Sequence, residues 1–245
     1  MLLVAAFFCV ALLYASAGFG GASLYLSVLS FVPGIHHDSL VLTAMVCNII
    51  AVLFSAANYL RAGHLRPKSA LPLLFASLPA AFLGGLFKTS HSLFCLVLGA
   101  SLIAAGLLML VRFPHSDDVP PLCLTWRFGL AAGAGIGLLS GLVGIGGGVF
   151  LAPALAFKKN GRAKEVSALC ALFILVNSMA GAAARLVRLH HIPAGLPFAW
   201  LVAAVVAGAC LGSWAGAFIV APVWIRRAVA VIVICGGVNQ LATFV

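Results

Sequence analysis

Apolar residues run almost unbroken along this chain, interrupted by short polar or basic stretches rather than alternating with them. The apolar segments fall at about 2–32, 39–60, 69–87, 92–111, 127–157, 165–187, 195–220 and 224–244. Stretches of about 20 apolar residues match the helix length that crosses the hydrocarbon core of a bilayer. The pattern therefore predicts an all-α polytopic membrane protein. The only sustained polar break is 113–125, which carries Asp117, Asp118, Pro120 and Pro121. It divides the chain into a first membrane repeat (1–112), a polar linker (113–125) and a second membrane repeat (126–245), with four apolar segments on each side.

The first segment of each half is too long for one crossing. Segments 2–32 and 127–157 would each extend about 46 Å as continuous helices, against a core of about 30 Å. Each contains a glycine cluster. Gly18-Phe19-Gly20-Gly21-Ala22 runs on as SLYLSVLSF, and Gly144-Ile145-Gly146-Gly147-Gly148 runs on as VFLAPALAF, at an offset of 126 residues. Glycine lets a backbone turn where other residues resist, so a helix, a break and a shorter second helix are expected in each half. Arg61-Ala62-Gly63-His64-Leu65 and Arg188-Leu189-His190-His191-Ile192 end corresponding segments at a similar offset. Paired glycine-broken segments in two repeats point to the substrate site of a secondary transporter.

Charge tests how these segments lie. If each of the eight segments crosses once, the basic residues divide seven against seven between the two sides. If the two broken segments instead re-enter on the side they left, Lys88, Arg185 and Arg188 stand against the other eleven. Cytoplasmic loops carry the excess of Lys and Arg, so the re-entrant arrangement, with inverted repeats and a cytoplasmic linker, is preferred to eight simple crossings.

Composition changes the picture mainly by exclusion. With 64% apolar and 7% charged residues and a mean hydropathy of +1.23, a soluble domain is ruled out. The net charge of +10 sits in short loops, where it sets topology, so no nucleic-acid partner is expected. Seven cysteines form no CxxC pair, and packing is the better reading than disulfides or a metal site. Ala15-Ser16-Ala17 resembles a signal-peptidase site, but no positive charge precedes the apolar run and the run continues past it, so it reads as the first membrane segment.

The candidate chemistry is anion binding. A glycine break inside a membrane frees backbone N–H groups and must be buried in protein or line a wet cavity. The N-terminus of the following half-helix favours negative charge. Gly18, Gly20, Gly21, Gly144, Gly146, Gly147 and Gly148 are therefore candidate substrate-binding positions, with Ser23, Asn48, Ser140, Asn177 and Ser178 as side-chain donors. Ser16 also flanks a break, and Thr43 shares a segment with Asn48. An intramembrane Asn serves equally as a helix-to-helix hydrogen bond. The series Gly133/Gly137/Gly141 and Gly208/Gly212/Gly216 read as close helix packing. Arg185 either places positive charge at the mouth of an anion path or snorkels to the interface, the second being the commoner use. His36-His37 and His190-His191 sit at segment ends without zinc-ligand spacing. Gly144-x-Gly146-x-Gly148 lacks both the spacing and the strand–helix context of a dinucleotide site. The four acids, Asp38, Asp117, Asp118 and Glu165, lie at segment ends or in loops, so neither an enzyme nor a carboxylate-coupled carrier is expected, and no cofactor. An anion leaving a cell that is negative inside gains about 2.3 kcal/mol per charge per 100 mV. Export therefore needs no coupling carboxylate.

The glycine phrases, above all GLLSGLVGIGGGVFLAPALAF, together with ALFILVNSMAG and the duplicated organisation, closely resemble the TauE/SafE family of membrane transport proteins over essentially the whole chain. The resemblance implies export of sulfite or organosulfonates across a bacterial inner membrane, with a small anion and the lipid bilayer as partners. It also implies that Gly144, Gly146, Gly147, Gly148 and Pro153 shape one half-site, with Asn177 and Ser178 nearby. The first copy departs from the pattern, with Ala22 in place of the third glycine and Ser27 aligned to Pro153. The alternatives left open are a transition-metal or other small-solute carrier and a membrane assembly protein without a transport cycle.

Overall fold

The computed structural model describes residues 1–29, 32, 37–64, 67–87, 91–111, 122–157, 161–189, 198–219 and 222–242. Most of the linker, with Asp117 and Asp118, lies outside them, as do His36, His190 and His191 and the side chains of His37 and Asp38. The protein is all-helical among the described residues. The first half holds α1 (Leu2–Ser16), α2 (Ala22–Leu29), α3 (His37–Arg61), α4 (Pro67–Leu86) and α5 (His91–Val111). The second holds α6 (Trp126–Val143), α7 (Gly148–Phe157), α8 (Ala163–Leu189), α9 (Phe198–Trp214) and α10 (Pro222–Ala242), with a π-helical turn at Ala215–Ile219. Eight apolar segments thus become ten α-helices, because each over-long segment is two helices with a glycine run between them. Four helical stretches, Ser39–Arg61, Trp126–Val143, Ala163–Val187 and Phe198–Ile219, are apolar and long enough to cross a bilayer unaided.

The helix pairings obey the repeat. The first helix of each half packs on the fourth of the other half: α1 on α9, and α6 on α4. The pairs α4–α8 and α3–α9 are likewise matched, as are α2–α10 and α7–α5. Two pairs are self-matched, α3–α8 and α5–α10. Within α3–α8, Met45 meets Gly181 while Asn48 bonds Ser178. Within α5–α10, Gly99 faces Gly237 while Gly106 faces Ala230 and Ile234. In both, residue numbers rise on one helix as they fall on the other, so repeat-equivalent helices run antiparallel.

Small residues set the closest approaches. A β-carbon at Gly208, Gly212 or Gly216 on the α9 side would fall on the backbone carbonyl of Phe8, Leu12 or Ser16 of α1. Gly133, Gly137 and Gly141 of α6 stand in the same relation to Leu73, Ser77 and Ala81 of α4. Both glycine series are therefore packing seams, as expected, and helices meeting this closely gain dispersion that lipid tails do not supply. Gly212→Leu is expected to pry α1 from α9 and cost about 1–3 kcal/mol or more. A thermal unfolding midpoint in detergent equal to that of the unchanged chain would contradict this. Large apolar side chains on the outer faces of α4 and α9, such as Leu71, Phe75, Trp200 and Trp214, are exposed and suit contact with lipid.

One end of the bundle gathers polar groups from four separate stretches. Lys164 Nζ donates to the Ala217 carbonyl in the π-helical turn at 2.9 Å, beside His64 at the end of α3. Burial, and then the Lys164 ammonium, holds the His64 imidazole below its ordinary value. Glu165, in the first turn of α8, accepts from its own Arg162 N–H at 3.1 Å, half of a capping box, and from Leu122 N–H at 2.9 Å. That second bond ties the end of the linker to α8.

Candidate functional site: two broken helices around Asn48

Each break holds glycines in the left-handed region. After α1, Gly18 and Gly21 take positive φ (+80° and +90°); after α6, Gly144, Gly146 and Gly147 do so (+79°, +76° and +79°). These left-handed conformations are open to glycine at little cost. Beyond the first break α2 returns along α1: Gly21 meets Val10, and the Tyr25 ring stacks on Phe7 at 4.6 Å. Gly147 likewise turns back on Ile136 and Ser140 of α6.

The neighbours of each glycine follow the 126-residue offset. Gly18 packs on Ser167 of α8, and Gly144 on Val41 of α3. Gly20 packs on Asn48 and Val52 of α3, and Gly146 on Ile174 and Ser178 of α8. In this register Asn48 corresponds to Ile174, not to Asn177, and Asn177 corresponds to Ala51. The two halves therefore present different side chains to equivalent backbone.

Asn48 joins the breaks. It is 1% exposed. Its Oδ1 accepts from the Ala22 N–H at 3.1 Å, capping α2, and its Nδ2 donates to Ser178 Oγ at 2.7 Å. A β-carbon at Gly146 would also meet Asn48 Nδ2, and one at Gly148 would approach Phe19. So Gly20, Gly21, Asn48, Gly146, Gly148 and Ser178 converge, while Gly18 and Gly144 lie further out, toward opposite ends of α3. Pro153 is buried inside α7, one and a half turns from its start. Asn48→Leu removes both bonds and is expected to cost about 2–3 kcal/mol. A midpoint within a degree of the parent would show that the cap contributes nothing.

Several buried polar groups at the breaks have no hydrogen-bond partner among the described residues: Ser23 Oγ, Ser140 Oγ, both amide atoms of Asn177, and the hydroxyls of Tyr14 and Tyr25. Tyr14 and Ser23 lie near each other without reaching hydrogen-bond geometry. By contrast Ser16 bonds back to the Leu13 carbonyl and Thr43 to that of Ser39, roles internal to their helices.

Arg185 corrects an expectation. It does not snorkel to an interface: it is 4% exposed, and its Nη2 donates to the carbonyls of Gly141 (3.1 Å) and Leu142 (2.9 Å) at the C-terminus of α6. Tyr59, its repeat equivalent, donates to the Ser16 carbonyl at 2.8 Å, with Ser55 Oγ 3.3 Å from that of Ala15. Both are end-caps that satisfy carbonyls the break would strand. Tyr59 carried no signal in its own segment; only the 126-residue offset applied to Arg185 points to it.

A polytopic helical bundle with two internal repeats, each holding a glycine-broken helix, defines a membrane transporter. Residues 3–239 match the family model described as sulfite exporter TauE/SafE. A relative in Sinorhizobium fredii (strain NBRC 101917 / NGR234), named as a probable membrane transporter protein, y4hK, is 31% identical over 249 residues, spanning 98% of this chain and 97% of that protein. The chain belongs to the TauE/SafE family: it is a multi-pass transporter of the bacterial inner membrane and not an enzyme. No solved structure matches it. Among the described residues no three His, Cys, Asp or Glu side chains are grouped to hold a metal ion.

Proposed function

We propose that the chain exports small sulfur-containing oxyanions, sulfite or a sulfonate, binding them near the membrane midplane where the two glycine breaks meet. The observation that carries this reading is the convergence of the α2 and α7 N-termini on Asn48 and Ser178, midway along α3 and α8. Helix N-termini within a bundle bring N–H dipoles to an anion without placing a full charge in the membrane. The fold-back of α2 along α1, and the antiparallel run of α3 against α8 and of α5 against α10, support re-entrant hairpins and inverted repeats. So does the end cluster: single crossings would put His64 and Lys164 on opposite sides of the membrane, yet they are neighbours. With Arg185 buried, only Lys88 and Arg188 oppose eleven basic residues, which makes the linker side cytoplasmic. Alternating access then arises from one half moving against the other around the fixed breaks.

The test is flux into and out of proteoliposomes holding the purified chain, with sulfite, sulfonates, thiosulfate and chloride, with and without an imposed potential. Sulfite or sulfonate efflux that grows with inside-negative potential, and uptake that falls with it, is expected; flux indifferent to potential would sink the uncoupled-anion mechanism. Cysteine labelling at positions 117 and 191 should mark opposite sides, and labelling from one side only would reject the inverted arrangement.

A further inference from the structure

The two breaks share a backbone path but differ in what fills them. At the first, the Asn48 amide oxygen caps the Ala22 N–H, the position equivalent to Gly148. At the second, the corresponding residue is Ile174, an alkyl group, and no described residue accepts from the N–H of Gly146, Gly147 or Gly148. Among the described residues the first break holds the unpartnered hydroxyls of Tyr14, Ser23 and Tyr25, whereas the second holds an unpartnered amide as well as a hydroxyl. Asn177 is 0% exposed with both amide atoms unpartnered, and Ser140 is 1% exposed with a free hydroxyl. At 3.6 residues per turn, Asn177 lies on α8 between Phe173 and Ile174. Phe173 touches Gly147, and Ile174 touches Gly146 and Gly148, so Asn177 faces this break. Ser178 accepts from Asn48, and its own proton is without a described acceptor. Buried polar groups left without partners are costly and ask for a ligand or water.

We propose that the chain holds a single anion, at the N-terminus of α7, and that the first break holds none because Asn48 occupies it as a built-in substitute for one. This rests on the anion-transport reading above. The donors are the Gly146, Gly147 and Gly148 N–H groups, Asn177 Nδ2, and the Ser140 and Ser178 hydroxyls. Asn177 Oδ1 also needs a partner that donates, and a fully deprotonated anion offers none. The ligand class is therefore a compact oxyanion that still carries one proton.

Calorimetric titration of the purified full chain in detergent with sodium sulfite tests this. One site per chain is expected, with affinity rising as pH falls through the second ionisation of sulfite. Asn177→Ala should weaken binding about tenfold or more. Ile174→Asn should do the same for a different reason, by giving α7 the cap that α2 already has. Gly135→Ala, in open space, should leave binding unchanged. Each variant is checked by size exclusion and helical circular dichroism, and if Asn177→Ala does not fold, the stoichiometry and Ile174→Asn still decide. Two sites per chain, or full affinity in a folded Ile174→Asn protein, overturns the proposal and leaves anion transport standing. Equal affinity for the fully deprotonated ion overturns the protonated-ligand assignment. No binding of sulfite at any pH overturns both this proposal and the transport reading it rests on.

Discussion

Gly146→Val is expected to abolish sulfite flux in proteoliposomes, whereas Gly135→Ala, on the same broken segment, should leave it intact. Gly146 sits at φ +76°, which a β-branched residue tolerates only with strain of about 1–3 kcal/mol. Its β-carbon would land on Ile174, on Ser178 Oγ and on Asn48 Nδ2, so the valine must also push apart the α3–α8 hydrogen bond. Overpacking of that kind costs about 1–3 kcal/mol more. The two terms together come to about 2–6 kcal/mol, which at its upper end matches the whole stability of a marginal domain, about 5 kcal/mol. Either the chain unfolds or the break relocates, and in both cases the α7 N-terminus leaves its place. A β-carbon at Gly135 would meet nothing within 4 Å, and alanine is the better helix former. A folded Gly146→Val protein with parental flux would remove the second break from the transport path.

Much of this architecture was legible in the sequence, because length and periodicity are properties a bilayer imposes directly. Two 31-residue apolar runs had to break, glycines marked the place, and the 126-residue offset between Gly18 and Gly144 reappears in space as matched pairs of packing neighbours. The small-residue seams were equally readable, since four-residue spacing of glycine has few other uses in a membrane. What was not legible was which side chain faces which break. Asn48 and Asn177 occupy corresponding segments but not corresponding positions. They are three residues out of register, close to one turn, enough to give one of them a cap to make and leave the other with nothing to bind. Arg185 was misread for a related reason. An arginine near a segment end usually reaches for water, and only the stranded carbonyls of a helix that stops inside the bundle give it a reason to stay.

These differences show how duplicated halves come to do unequal work. Equivalent backbone needs the same things in both halves: a cap for the carbonyls before the break and an occupant for the N–H groups after it. The first half meets both from neutral side chains, Tyr59 and Ser55 at the carbonyls and Asn48 at the N–H end. The second meets the carbonyls with a cation, and among the described residues nothing accepts from the Gly146, Gly147 and Gly148 N–H groups. Unsatisfied backbone inside a membrane is costly, so the Asn48 cap stabilises the first break, and the exchangeable ligand of the single-anion proposal belongs to the second.

Arg185→Ala should therefore be among the most damaging single changes in the chain, and more damaging than Tyr59→Phe at the equivalent place. Removing the guanidinium strands the carbonyls of Gly141 and Leu142 in a water-poor interior, at about 1–3 kcal/mol each. It also takes away a cation at the C-terminus of α6, where the helix dipole favours one, and empties the volume beside Gly144 that the side chain fills. Together these reach about 3–6 kcal/mol. Tyr59→Phe strands one carbonyl, that of Ser16, and keeps the ring, so about 1–2 kcal/mol is expected. Arg185→Lys should fall between, since a single ammonium on a shorter stem replaces a planar fork. The order is read from thermal midpoints by fluorescence-detected size exclusion: Arg185→Ala lowest, then Arg185→Lys, then Tyr59→Phe. If Arg185→Ala matched the parent, water would have to reach the end of α6, and the second break would lie in a solvated vestibule instead of a packed interior.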